Sequence, residues 1–131
     1  SRRWVKTSDT DVREKINKEY ESLSKKAKKA EADGDLLLFT YPTGKTSFTG
    51  IISNELMYFN PDKIVIVARE KEDMMIVSMR SIDLKVLPGL QAALKEVRGY
   101  GGGHLRACGA GINKDDFPKF LEIMKENIKK K

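Results

Sequence analysis

The 131-residue chain has one cysteine and one histidine, and these scarcities remove most of the catalytic repertoire. A lone Cys108 cannot close an intrachain disulfide, so the expected setting is reducing and cytoplasmic. Structural zinc takes about four Cys or His ligands, which the chain cannot supply. A Ser/His/Asp triad would have to be built on His104, and no base and nucleophile stand together beside it in the sequence. Long apolar runs are missing too. Stretches such as IVIVA at 64–68 fall far short of the ~20 residues a membrane-spanning helix needs, and no basic-then-apolar leader opens the chain. Neither secretion nor membrane insertion is expected. The chain opens on Ser1 rather than Met, from which we expect a piece cut from a longer protein.

What is present is a globular composition. With 40% hydrophobic and 34% charged residues, the chain can bury a core and is not of the disordered type. Its length suits one domain, since domains run to roughly 100–200 residues. Lys and Arg outnumber Asp and Glu by 25 to 19, a net charge of +6. That balance favours an anionic partner, nucleic acid above all. Charge alone leaves open a basic domain that binds nothing anionic.

Apolar Val12, Ile16, Tyr20, Leu23 and Ala27 recur at helical steps and predict one long helix over 8–33, with Ser8 or Thr10 as N-cap and Gly34 at its end. Lys25, Lys26, Lys28 and Lys29 crowd its last turns, either as a solvated face that suits the negative end of the helix dipole or as a phosphate-contacting patch. DLLLFTY at 35–41 predicts a buried strand and 41–44 a turn. GIISNELMYFN at 50–60 predicts a helix stopped by Pro61. KIVIVARE at 63–70 and MMIVSMRS at 74–81 read as two strands joined through the charged residues 71–73. A helix over 88–98, a breaker cluster at 99–103, a short strand and a final helix over 117–130, capped by Asp115 and Asp116, complete the order. The expected fold class is α/β: one central mixed sheet of four to five strands flanked by helices, with a long N-terminal helix.

The most informative segment is GYGGGHLRACGAG at 99–111, which holds six of the ten glycines. Consecutive glycines let backbone amides turn inward as a concave, anion-attracting nest, and His104 adds an imidazole that hydrogen-bonds a phosphate oxygen. Tyr100 stands inside this segment and is a candidate for its border. Other motifs are weaker. Gly44, Lys45 and Thr46 imitate the end of a P-loop, but Phe39 stands where that pattern needs glycine. Asp9 and Asp11 lack a second histidine and read as helix caps. Trp4, Tyr41 and Tyr58 show no interleaving with basic residues of the kind that stacks bases.

Gly101 to His104 (GGGH), followed after Leu105 and Arg106 by Ala107, Cys108 and Gly109, resembles the GGGHxxAAG signature of the DHH-associated domain, with Cys108 in place of the usual alanine. Upstream, VSMRS at 77–81 is similar to that family's strand ending in Ser, a residue, Arg and Ser. The resemblance extends over roughly 35–128. It implies a C-terminal substrate-holding domain of Asp-His-His phosphoesterases, which include RecJ-like exonucleases and oligonucleotide or dinucleotide phosphodiesterases. Arg80, Ser81, Gly101, Gly102, Gly103 and His104 would then engage phosphate. Arg80 suits that role by its chemistry, because guanidinium presents a planar fork to phosphate oxygens. No catalytic residue and no metal ligand is expected in this chain. Manganese or another divalent metal would belong to a preceding DHH domain, to which 1–34 would be the linker helix and 35–131 the partner. The implied ligand is a single-stranded nucleic acid or short nucleotide, and a homodimer is compatible. The alternative is an RNA-binding or dimerising appendage like the C-terminal domain of alanyl-tRNA synthetase, with affinity carried by the lysines of the first helix.

Overall fold

The computed structural model describes the backbone of residues 2–42 and 47–128, and side chains from residue 11 onward within the first helix. Helix α1 (Arg2–Ala27) leads to strands β1 (Ala32–Asp33) and β2 (Leu36–Tyr41), helix α2 (Thr49–Phe59), strands β3 (Ile64–Lys71) and β4 (Met74–Arg80), helix α3 (Leu87–Leu94), strands β5 (Gly99–His104) and β6 (Ala107–Asn113), and helix α4 (Phe117–Ile128). The expected α/β class holds, with six strands in the order β1-β2-β3-β4-β6-β5. Only β2 and β3 run parallel, joined through α2; the other neighbours are antiparallel.

Two departures from the sequence expectations account for the extra strands. The first helix ends at Ala27 rather than near 33. Gly34 (φ 63°) does not end it; it makes the tight turn that lets Ala32 and Asp33 pair back onto β2. The second correction concerns 99–103, which is a strand along its whole length and not a breaker loop. Its backbone groups pair with β6, so its amides alternate across the strand rather than converge into a nest. Ahead of α4 a 3-10 turn (Lys114–Asp116) is capped by Asn113, its side chain accepting from the Asp115 amide at 3.0 Å.

Alternation along the strands divides the core into two layers. Ile64, Ile66, Val77, Met79, Cys108 and Ile112 pack toward α3 and α4, where Leu90, Phe120 and Met124 meet them. Leu37, Val65 and Val67 face the opposite way, under Ile52 and Leu56 of α2 and Ala27 of α1. Each fully buried Leu or Ile contributes roughly 1.5–3 kcal/mol, so both layers are needed. They are not equally wide. The α3/α4 layer reaches β6 and β5, whereas α2 lies over β3 and β4. The outer part of that second face carries no helix among the described residues.

Candidate functional site

Strand β4 places the first candidate side chain. In MMIVSMR, Met75, Val77 and Met79 are buried, so Ile76, Ser78 and Arg80 face the side that α2 only partly covers. The register then carries this face outward. Arg80 pairs with Ala107 on β6, and Ala107 pairs with His104 on β5, so all three side chains stand on one face in one row. Two strand spacings separate Arg80 from His104, about 10 Å between backbones. The next row is Ser78, Gly109 and Gly102, and the one after it Ile76, Gly111 and Tyr100. β6 therefore contributes Ala107, Gly109 and Gly111, almost no side-chain volume, and forms the floor of an open shelf between β4 and the sheet edge. A Cβ added at Gly102 would meet nothing within 4 Å, and at Gly109 only the Val77 carbonyl oxygen at 3.7 Å.

Arg80 is held from below. Its Nε donates to Asn54 Oδ1 at 3.2 Å, and one amino nitrogen donates to the carbonyls of Met79 at 2.9 Å and Cys108 at 3.1 Å. All these acceptors are neutral, and among the described residues no carboxylate pairs with Arg80. Among the described residues the positive charge is thus oriented but not cancelled, and the other amino nitrogen has no protein partner. His104 is exposed on the edge strand, and its carbonyl accepts from Cys108 Sγ at 3.1 Å. Burial pushes the Cys108 thiol above its ordinary pKa, against a smaller opposing pull from Arg80. The thiol therefore stays protonated and acts as a donor rather than a nucleophile.

Of the residues singled out in the sequence, the structure brings Arg80, Gly102 and His104 to one face. Ser81 does not join them. It is 2% exposed, and its hydroxyl donates to the Lys63 carbonyl at 2.7 Å while accepting from the Leu84 amide at 3.0 Å. Gly101 and Gly103 point to the other face, where an added Cβ would lie 2.7 Å from the Gly109 oxygen and 2.4 Å from the Ala107 oxygen. Gly103 also has φ 145°. These two glycines allow β5 to approach β6. Asn54 was not legible in the sequence: it lies on α2, far along the chain from the glycine motif, and carries no local signal.

The remaining motifs lie elsewhere. Tyr41 is buried, its hydroxyl accepting from the Phe48 amide at 3.1 Å. Gly44, Lys45 and Thr46 fall outside the described residues, as do the side chains of Trp4 and Asp9. Lys25 and Lys26 lie in the last turn of α1 and Lys28 and Lys29 in the turn that follows it, with Lys28 Nζ 5.7 Å from the centre of the Phe59 ring. A concavity lined by Thr40, Glu70, Met75, Lys114 and Phe117 opens away from the shelf and offers no converging set of donors. Among the described residues, no group of three or more His, Cys, Asp or Glu could hold a metal ion, and no helix is long and apolar enough to cross a membrane.

Comparison with known proteins gives one family match: residues 42–130 fit the model described as the DHHA1 domain. A search of curated protein sequences found no match. Among solved structures, RecJ from Thermus thermophilus, in complex with Mg2+, superposes at TM-score 0.68 and 18% identity over 85% of this chain and 17% of that one. The C-Ala domain of alanyl-tRNA synthetase from Aquifex aeolicus gives TM-score 0.60 and 19% identity over 76% of this chain and 97% of its own. A pGpG-specific phosphodiesterase, PggH from Vibrio cholerae, gives TM-score 0.54 and 17% identity over 82% of this chain and 37% of that one. The chain thus spans nearly all of the synthetase domain but only a minor part of the two phosphoesterase structures.

Proposed function

The chain belongs to the DHHA1 domain family, and from that premise we propose that it is the substrate-holding domain of a cytoplasmic DHH-type phosphoesterase. It grips a phosphate of a single-stranded nucleic acid or short nucleotide and presents it to a catalytic domain elsewhere in the parent protein. The observation that supports this reading is the row Arg80–Ala107–His104. A fixed, unneutralised guanidinium and an imidazole flank a floor that lets a phosphate come close to the sheet. Planar guanidinium suits phosphate oxygens, and holding the ester in place is what a partner domain requires for a metal-activated water to attack in line. That metal, manganese or another divalent ion, belongs with the DHH domain.

A second reading follows from the near-complete coverage of the C-Ala domain: an RNA-binding or dimerising appendage in which Lys25, Lys26, Lys28 and Lys29 carry the affinity. One experiment separates the two. Binding of a 5′-phosphorylated oligonucleotide is measured for the intact chain, for Arg80→Ala, for His104→Ala, and for a variant with the four lysines neutralised. On the shelf reading either single substitution weakens binding about tenfold or more, in line with charge-assisted hydrogen bonds of ~1.5–3 kcal/mol, and the lysine variant binds nearly normally. The opposite pattern would assign the site to α1. The chain alone is expected to show no metal-dependent hydrolysis.

A further inference from the structure

Resting on the phosphate shelf proposed above, we propose that Tyr100 is a base-stacking platform, so that the shelf takes single strands of two or more nucleotides in preference to free phosphate or a mononucleotide. Tyr100 lies on the same face as His104, in the row of Ile76 and Gly111. It is 64% exposed on an edge strand, yet its ring is not adrift. A Cβ built on Gly111 would lie 2.6–2.7 Å from Cζ, Cε1 and the hydroxyl oxygen of Tyr100, so the far end of the ring leans inward over the bare glycine. Gly111 is itself buried beneath it. The chain thus keeps a large aromatic surface open to solvent while fixing where the ring sits, which lowers the ordering cost of stacking on it.

Its position defines what it can reach. Tyr100 and His104 stand four residues apart in one strand, about 13 Å at ~3.4 Å per residue. That is beyond the base of a nucleotide whose phosphate sits over Ala107, and within reach of the next nucleotide along. Between the two rows lie Gly109 and Gly102, with open space above them, so a sugar-phosphate backbone can follow β6 without obstruction. The bases of a duplex are already stacked on each other and cannot lie on a side chain, which leaves unpaired strands as the ligand. Stacking on a phenol ring tolerates any base, because every base has a π-face.

The test uses the full chain and two probes of equal length: a 5′-phosphorylated thymidine trinucleotide and the same strand with abasic sites, both followed by fluorescence anisotropy. Tyr100→Leu keeps an apolar cover over Gly111 but removes the π-face, and Tyr100→Phe keeps both. The phenylalanine variant is expected to bind the trinucleotide within about twofold of the parent, and the leucine variant roughly 5- to 100-fold more weakly, the range seen when stacking residues are removed. On the abasic strand all three should bind alike. Equal binding of the trinucleotide by the leucine variant, or an equal loss on both probes, overturns the platform. Arg80→Ala tells this failure from failure of the shelf: if it binds the trinucleotide as well as the parent does, the shelf itself is wrong and the platform falls with it.

Discussion

At the scale of single residues, the glycine motif divides between two jobs that only a side-by-side look at both faces of the sheet can separate. Gly101 is required by close approach, since an added Cβ would sit 2.7 Å from the Gly109 oxygen and 2.8 Å from the Ala110 Cβ. Gly109 is not so constrained and leaves the shelf floor clear. Gly101→Val should therefore destabilise the chain by about 1–3 kcal/mol or more, because backbone has to move to admit it. Gly109→Val should leave stability within roughly 0.5 kcal/mol, as for other exposed substitutions, and still block oligonucleotide binding. Urea denaturation paired with a binding titration checks both. Ser81 carries the same lesson. The Ser-Arg-Ser pattern marks it as part of the motif, and the structure shows its hydroxyl joining the Lys63 carbonyl to the Leu84 amide. Nothing in the local sequence distinguishes such a brace from a ligand contact.

At the scale of elements, β5 is the sensitive part, because it is exposed along its whole length and has a neighbour on one side only. Both its ends are tied. Its entry is held by Arg98, whose backbone amide and guanidinium donate to the Asp116 carboxylate at 2.8, 3.0 and 3.3 Å and whose carbonyl accepts from the Asn113 amide at 2.8 Å. Its exit is held by the Cys108 thiol on the His104 carbonyl. Hydrogen bonds from Arg98 hold the Asp116 carboxyl below the usual carboxylate range. A carboxyl lowered in the folded state contributes its stability above its unfolded pKa and loses it as pH falls through the folded value. β5 should accordingly loosen on acidification below that range. Once corrected for the intrinsic exchange rate, the Gly99–His104 amides should lose protection as pH is lowered, and Asp116→Asn should flatten that dependence. Lys125 lowers Asp33 in the same direction, tying β1 to α4 at the opposite edge. The hairpin of β3 and β4 was legible because residues 71–73 are charged between two β-branched runs. The strand character of 99–104 was not, because glycine is depleted in strands and β6 alone recruits this segment.

At the scale of the whole molecule, the two faces of the sheet are covered unequally because β6 presents unequal faces. Cys108, Ala110 and Ile112 are buried under α3 and α4, whereas Ala107, Gly109 and Gly111 have no apolar bulk that would demand a helix. The shelf is what remains. If Arg80 and His104 grip one or two phosphates, log K should fall with log salt at a slope near −0.7 to −1.4 for a single strand. A slope steeper than about −3 would mean that the net charge of +6, and the α1 lysines with it, takes part. A salt titration of the intact chain reads this directly. Local chemistry by itself determined helices α2, α3 and α4, strands β2, β3 and β4, the alternation that puts Ser78 and Arg80 on one side of β4, and the glycine-histidine motif, because each depends on neighbours a few residues away. That β6 inserts between β4 and β5, so that Arg80 and His104 share a row across Ala107 beneath a ring laid on Gly111, was decided only in three dimensions. Strand order and register come from burying distant apolar side chains against common helices, and no local window of sequence contains both partners.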